Sequence, residues 1–150
     1  MISEAVENIL LKNADCFLVS DEKVAHVMDE NPLTHALLML TQVKYTRIPV
    51  LNREGHIVGL IGLSNIVNQM FDLAEIDPSN LEGLLVKDVM ETEVPIITDP
   101  FDVEDILHKL VDHPFLAVVD EYNCFTGIVT RREILKSVNH LVHEIDLENH

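Results

Sequence analysis

Short apolar runs and helical patterns alternate along the chain, and the same order occurs twice. Residues 48–51 and 57–61 form one pair of apolar runs, and residues 116–119 and 125–129 form another, each pair separated by a polar turn rich in Asn, Asp or Gly. Runs of this length around such turns predict two β-hairpins. Apolar spacing before and after the hairpins predicts helices, among them residues 32–43, 64–73 and 131–143.

The two halves of this pattern can be aligned directly. Residues 31–67 lie on residues 99–135 at a constant offset of 68 without a gap. Asn31-Pro32 and Asp99-Pro100 are matched helix start signals, with Asn or Asp as N-cap and Pro at the first helical position. Self-similarity at a fixed spacing indicates a duplicated structural unit. Because neither unit buries its apolar side alone, we expect two β-α-β-β-α repeats to pack pseudo-symmetrically, in an α/β (α+β) fold.

These patterns also divide the chain into segments. Residues 2–11 have helical spacing and predict an N-terminal helix. Residues 37–40 are apolar without interruption, which predicts that the helix over residues 32–43 is covered on both sides. The expected segments are an N-terminal helix (1–14), repeat one (15–75), a linker (76–85), repeat two (86–146) and a tail (147–150).

Composition and charge narrow the possible functions. An apolar content of 47% is enough for a buried core, and no apolar run approaches the roughly 20 residues that span a bilayer. The first residues include Glu4 and Glu7 in place of a positively charged signal region, so we expect a cytoplasmic protein. A net charge of −16 opposes binding to polymeric nucleic acid or to anionic membranes.

Metal and catalytic chemistry have little support in the sequence. Cys16 and Cys124 have no zinc-type spacing and are interpreted as reduced core thiols. His140 and His143 are three residues apart on a predicted helix and His150 follows, but there is no reliable third ligand, so no metal site is predicted. Nucleophile, zinc-protease and P-loop motifs are not present. We therefore expect a protein that is not an enzyme.

The clearest binding feature is a pair of adjacent arginines, Arg131 and Arg132, in a chain with ten basic residues. Both fall in the first turn of a predicted helix, where the helix dipole disfavours cations. A phosphate group would compensate, since helix N-termini offer N–H groups and arginine adds charged donors. The alternative interpretation is that Thr130 and Glu133 form a capping box and that the arginines are solvated, with Glu133 neutralising them.

Several of these motifs together resemble a known family. The hairpins close with Gly59-Leu60-Ile61-Gly62 and Gly127-Ile128-Val129-Thr130, and Val86-Lys87-Asp88-Val89-Met90 opens repeat two. In this combination the chain resembles a tandem cystathionine-beta-synthase (CBS) domain pair over about residues 15–146. Such pairs bind adenine nucleotides and are usually regulatory and dimeric. Residues 20–23 depart from the usual valine-rich opening of the first repeat.

A closer resemblance is to the stand-alone CBS-pair proteins of Gram-positive bacteria that bind cyclic di-AMP, which are not enzymes. It is carried by residues 23–27, 45–51 and 130–132. The resemblance implies that the ligand contacts are Lys23, Ala25, Tyr45, Thr46, the residue at position 47, Arg131 and Arg132. Position 47 is commonly small in that family, so Arg47 is a departure that either adds a phosphate contact or narrows the cleft.

Individual residues then receive expected roles. Tyr45 and Thr46 would flank a base and meet a polar edge, and Ala25 would let a purine approach the backbone. The alternatives are a half-buried tyrosine that only packs and an ordinary core alanine. In many CBS modules a Thr or Ser with an Asp three residues later holds phosphate and ribose. Repeat two has Thr130 with Glu133, whereas repeat one has Gly62 with Asn65, so one nucleotide per chain is expected.

The sequence and the resemblance therefore predict a homodimeric sensor that binds cyclic di-AMP between its repeats and modulates a protein partner. The resemblance implies that this partner is the stringent-response alarmone synthetase/hydrolase or a metabolic carboxylase. Two alternatives stay open, namely an energy sensor that binds AMP, ADP or ATP, and a structural dimerisation module without a ligand.

Overall fold

The computed structural model of the chain describes residues 18–43, 45–71, 78–98 and 102–148. The predicted N-terminal helix, Cys16 and the start signal Asp99-Pro100 lie outside the described residues. Most of the helices and strands predicted from the sequence can be compared directly with the structure.

Seven strands and five α-helices are assigned within the described residues. The strands are β1 (Leu18–Ser20), β2 (Val27–Met28), β3 (Arg47–Leu51), β4 (Ile57–Gly62), β5 (Ile96–Ile97), β6 (Phe115–Val119) and β7 (Phe125–Thr130). The helices are α1 (Leu33–Gln42), α2 (Leu63–Met70), α3 (Val86–Val89), α4 (Val103–Leu110) and α5 (Arg131–Glu148), with 3₁₀ turns at Asp21–Lys23 and Pro78–Leu81. The hairpins β3–β4 and β6–β7 confirm the predicted strands to within one residue at each end.

These elements form two sheets, one in each of two compact units. In one sheet, with strand order β2-β3-β4, β2 is parallel and β4 antiparallel to β3. In the other, with order β1-β7-β6-β5, β1 is antiparallel to β7 and β5 is parallel to β6. Of the described residues, one unit comprises those within 24–94 and 122–125, and the other comprises those within 1–23, 95–121 and 126–150. We call them the Arg47 unit and the Arg131 unit.

The compact units differ from the sequence repeats because the first residues of each repeat pair with a strand of the other repeat. Strand β1 opens repeat one but pairs with β7 of repeat two, with Val19 opposite Ile128. In return, Glu91 of repeat two pairs with Leu60 of repeat one through two backbone hydrogen bonds of 2.8 and 2.9 Å. The β-α-β-β-α order nevertheless holds within each unit, as β2-α1-β3-β4-α2 and as β5-α4-β6-β7-α5, and residues 86–89, which open repeat two, form a helical turn.

Glycines in the hairpin motifs make this exchange possible. A Cβ atom on Gly59 would lie 2.7 Å from the carbonyl oxygen of Glu91, and one on Gly127 would collide with the carbonyl oxygen of Val19. Both contacts are closer than van der Waals radii allow. Residues 18–20 can therefore approach β7, and Glu91 can approach β4, only where the strand residue has no side chain. This explains why the motifs of residues 59–62 and 127–130, on which the family resemblance partly rests, each begin with glycine.

The gap-free alignment of the repeats is wrong for the helices that precede the hairpins. Buried positions Leu33, Ala36 and Leu40 of α1 correspond to Val103, Ile106 and Leu110 of α4, an offset of 70 instead of 68. Helix α1 has ten residues and α4 has eight, so the offset returns to 68 where these helices end. The difference of two residues is about half a helical turn.

The predicted helix starts also need correction. The side-chain oxygen of Asn31 accepts a hydrogen bond from the backbone N–H of Met28 at 2.8 Å, and Pro32 precedes α1 instead of beginning it. Helix α4 begins at Val103, and its cap is Asp102, whose carboxylate accepts from the Asp105 N–H at 3.2 Å. Helix α1 thus starts one residue later than predicted, and the predicted start of α4 at Pro100 lies outside the described residues.

Each unit has its own apolar core. In the Arg47 unit the core includes Leu33, Ile48 and Ile66, and in the Arg131 unit it includes Ile106, Leu116 and Val129. The prediction that α1 is covered on both sides is wrong for Leu38 in the single chain, because 59% of this residue is exposed. None of the helices in the described ranges is long and apolar enough to cross a membrane.

Candidate functional site

The junction between β7 and α5 carries the arginine pair of the Arg131 unit. Thr130 ends β7, is 7% exposed, and accepts a hydrogen bond from the backbone N–H of Glu133 at 3.0 Å. Thr130 is therefore the N-cap of α5, as the capping-box interpretation requires. The carboxylate of Glu133 lies 3.6 Å from the Nζ of Lys136, and the ion pairs of the described residues include none between Glu133 and either arginine.

Arg131 is held by the end of the neighbouring helix. Its Nε and one Nη donate to the carbonyl oxygen of Leu110 at 3.0 and 2.8 Å, and the same Nη approaches the Val111 carbonyl at 3.4 Å. Its backbone N–H donates to the Pro114 carbonyl at 2.9 Å. The guanidinium charge thus faces the C-terminus of α4, where the helix dipole favours a cation. This contact offsets the unfavourable position of Arg131 at the start of α5.

Arg132 lies next to Arg131 but has a different environment. Its side chain is exposed and, among the described residues, forms no hydrogen bond or ion pair. An arginine in this setting keeps its forked set of donors available to a phosphate. Of the two adjacent arginines, Arg132 is the one whose guanidinium is not already engaged by the protein.

The Arg47 unit brings together four other residues named from the sequence. Strands β2 and β3 are parallel, with Val27 opposite Val50, so Ala25 and residues 45–47 precede or begin their strands at the same end of the sheet. Tyr45 is 44% exposed and Thr46 is also exposed, whereas Ala25 is partly buried against the core of the unit. Ala25 thus packs partly as a core residue, and the exposure of Tyr45 is compatible both with a half-buried tyrosine that only packs and with a ring that flanks a base.

Arg47 takes part in a polar network that sequence reasoning missed. Its Nη1 lies 2.6 Å from Oε2 of Glu91, and Oε1 of Glu91 accepts from Nδ2 of Asn65 at 3.3 Å. Oδ1 of Asn65 in turn accepts from the backbone N–H of Gly62 at 2.8 Å, at the start of α2. Glu91 directly follows the motif of residues 86–90 but carries no local signal, because 44 residues separate it from Arg47.

Lys23 does not lie beside the arginine pair. It ends the 3₁₀ turn after β1 and is exposed. Because Ser20 of β1 lies opposite Gly127, the chain leaves β1 toward the start of β7, whereas Arg131 follows the end of β7. Within the Arg131 unit, Lys23 and the arginine pair therefore lie at opposite ends of the β1–β7 pair, and Val24 begins the Arg47 unit.

The remaining candidate chemistry is limited. Cys124 lies in the β6–β7 turn, is partly buried instead of belonging to a core, and its Sγ lies 3.5 Å from the Glu54 carbonyl oxygen. His143 is exposed on α5. Cys16 and His150 lie outside the described residues. Within the residues that the structure describes, no group of three or more His, Cys, Asp or Glu side chains is arranged to hold a metal ion.

Comparisons with known proteins agree with this architecture. The family model described as "CBS domain" matches residues 15–72 and 86–140. A relative from Bacillus subtilis (strain 168), named cyclic di-AMP receptor B, is 36% identical over 148 residues, which cover 97% of this chain and 99% of the relative.

Solved structures are similar as well. The CbpB protein of Listeria monocytogenes in complex with c-di-AMP is 47% identical, with a TM-score of 0.80, over 87% of this chain and 98% of that protein. CbpB from Streptococcus agalactiae is 31% identical, with a TM-score of 0.84, over 98% of this chain and 92% of that one. Two matched segments, the paired hairpins and these relatives place the chain in one family: it is a tandem CBS-domain protein.

Proposed function

We propose that the protein is a non-enzymatic regulatory sensor that binds cyclic di-AMP. The observation that carries the proposal is Arg132, an exposed arginine without an internal partner among the described residues, at the start of α5 in a chain with a net charge of −16. Such a site attracts a small phosphorylated ligand even though the whole molecule repels polyanions. The relative named cyclic di-AMP receptor B and the Listeria complex with c-di-AMP support the choice of nucleotide.

In this proposal the residues named from the sequence keep distinct roles. Arg132 contacts phosphate directly, and Arg131, fixed on Leu110, orients the turn and presents its remaining donors. Thr130 shapes the same turn as N-cap. The other proposed contacts are Lys23 and Arg47 to phosphate and Ala25, Tyr45 and Thr46 around a base. Repeats of residues 15–75 and 86–146 would hold the nucleotide between them, with one nucleotide per chain.

Regulation requires that the nucleotide favours one state of the protein. We propose a cytoplasmic homodimer whose affinity for a protein partner changes when cyclic di-AMP binds. The coupling is reciprocal, so a partner that prefers the empty form weakens nucleotide binding by the same factor. The alarmone synthetase/hydrolase and the metabolic carboxylase implied by the resemblance are the partners to test first.

Isothermal titration of the purified protein against cyclic di-AMP, AMP, ATP and cyclic di-GMP tests the proposal. We expect cyclic di-AMP to bind with the highest affinity and with a stoichiometry of one nucleotide per chain. A preference for AMP or ATP would favour the energy-sensor alternative, and no binding to any of them would favour a structural dimerisation module. Chromatography of cyclic di-AMP after incubation with the protein should return the nucleotide unchanged, as expected of a receptor that is not an enzyme.

A further inference from the structure

The carboxylate of Glu91 is held on both of its oxygens. One oxygen lies 2.6 Å from Nη1 of Arg47 and the other accepts from Asn65 at 3.3 Å. The side chains of Arg47 and Glu91 are 49% and 38% exposed, so the pair lies at the surface and not in the core. An anionic ligand that approaches Arg47 therefore also approaches a fixed negative charge.

The backbone fixes the position of Glu91. Its N–H donates to the Leu60 carbonyl at 2.8 Å, and its own carbonyl accepts from the Leu60 N–H at 2.9 Å. The preceding residue, Met90, donates to the Val86 carbonyl at 3.0 Å. These backbone hydrogen bonds hold the main chain on both sides of the Glu91 Cα atom. The carboxylate therefore stays near Arg47, and no long free segment of the chain has to become ordered to bring it there.

The corresponding place in the Arg131 unit carries no charge. Leu60 corresponds to Ile128 at the hairpin offset of 68, and Ile128 lies opposite Val19 in β1. Val19 is thus the counterpart of Glu91, and Phe115 is the counterpart of Arg47. Of these two equivalent pairs of positions, only the pair in the Arg47 unit carries charges. The fold itself therefore does not require the ion pair.

Coulomb's law gives the direction of the effect. A carboxylate in contact with a guanidinium cancels most of its attraction for phosphate, and the remaining interaction is further reduced by solvent and salt. A ligand phosphate must then compete with Glu91 for Arg47. Removal of the carboxylate leaves the arginine charge unopposed at the end of the β2–β3 pair.

We propose that Glu91 is an affinity-determining residue, whose carboxylate competes with ligand phosphate for Arg47 and lowers the affinity of the nucleotide site. This inference rests on the proposed function, because it concerns the same site. Arg47 is then a phosphate ligand whose contribution is limited by Glu91.

The test compares Glu91→Gln with Glu93→Gln by titration with cyclic di-AMP at low and high salt. Both substitutions remove one negative charge, but Glu93 is exposed and forms no ion pair with Arg47. We expect Glu91→Gln to bind roughly three- to tenfold more tightly than the wild type at low salt, and with a stronger salt dependence. Glu93→Gln should change the affinity less than about twofold. In an Arg47→Ala background, Glu91→Gln should gain no more than Glu93→Gln gains.

Several results would overturn the inference. Equal affinities for Glu91→Gln and Glu93→Gln would show that only the overall charge matters. Glu91→Met, which keeps the length of the side chain without a polar head, provides a second variant, and melting temperatures check that both are folded. Loss of the folded state in both variants would assign Glu91 a structural role instead. If the wild type itself binds no nucleotide, the proposed function fails, whereas binding by the wild type with no gain in Glu91→Gln refutes only this inference.

Discussion

The guanidinium of Arg131 caps the helix that ends at Leu110, to whose carbonyl oxygen it donates two hydrogen bonds of 3.0 and 2.8 Å. Its neighbour Arg132 has no such contact among the described residues. The two arginines look identical in the sequence, yet one joins α5 to the end of α4 and the other faces solvent. We therefore expect Arg131 to contribute to stability and Arg132 to contribute to nucleotide binding, and the two contributions can be measured separately.

Replacement of Arg131 should destabilise the protein. Arg131→Ala removes charged donors from the C-terminal carbonyls of α4, and because the side chain is exposed we expect a loss of about 1 kcal/mol in the free energy of unfolding. Arg132→Ala should leave this free energy unchanged within about 0.5 kcal/mol, as is usual for surface substitutions. Urea unfolding followed by circular dichroism measures both. Equal stability of the two variants would mean that the Leu110 contact contributes nothing.

Replacement of Arg132 should weaken nucleotide binding without unfolding the protein. Loss of a charge-assisted contact to phosphate should cost about 1.5 to 3 kcal/mol, which is roughly one to two orders of magnitude in the dissociation constant for cyclic di-AMP. The matched control is Arg53→Ala, since Arg53 is an exposed arginine that pairs with Glu30. If Arg132→Ala binds with wild-type affinity, Arg132 is a solvated surface residue and not a phosphate ligand.

Alanine at Gly59 or Gly127 should be strongly destabilising. The added methyl group would strike the backbone of the exchanged segment, and overpacking of this kind costs typically about 1 to 3 kcal/mol or more. Gly55→Ala is the comparison, because its methyl group would meet nothing within 4 Å and only the positive φ of 80° opposes it, at about 1 kcal/mol. Thermal unfolding should therefore rank Gly59→Ala and Gly127→Ala below Gly55→Ala. The reverse order would contradict the close approach of β1 to β7 and of Glu91 to β4.

The cap of α5 should contribute to stability through its hydroxyl group. Thr130→Ala removes the acceptor of the Glu133 N–H and should cost about 1 kcal/mol, whereas Thr130→Ser keeps the acceptor and should cost less. Both variants also serve in nucleotide titrations. If Thr130→Ala loses stability but binds normally, Thr130 is a cap alone, and weaker binding that Thr130→Ser restores would support its proposed place in the site.

Local patterns in the sequence were sufficient to predict the hairpins and the start of α5. Residues 48–51 and 57–61 are short apolar runs around a turn that contains Gly55, and such turns constrain only neighbouring residues. Thr130 followed by Glu133 marked the beginning of α5 for the same reason. The duplication and the arginine pair were also visible, since both are properties of the order of residues.

The pairing of segments far apart in the chain could not be predicted from local patterns. No local rule places Val19 opposite Ile128, or Glu91 beside Leu60, because each pairing depends on a partner from the other repeat and on a glycine that permits the approach. The same applies to Arg131 on Leu110 and to Arg47 on Glu91, which are 21 and 44 residues apart. Residue types and local motifs indicate which residues are candidates for binding an anion, whereas the packing of distant segments sets which of those charges the protein already neutralises.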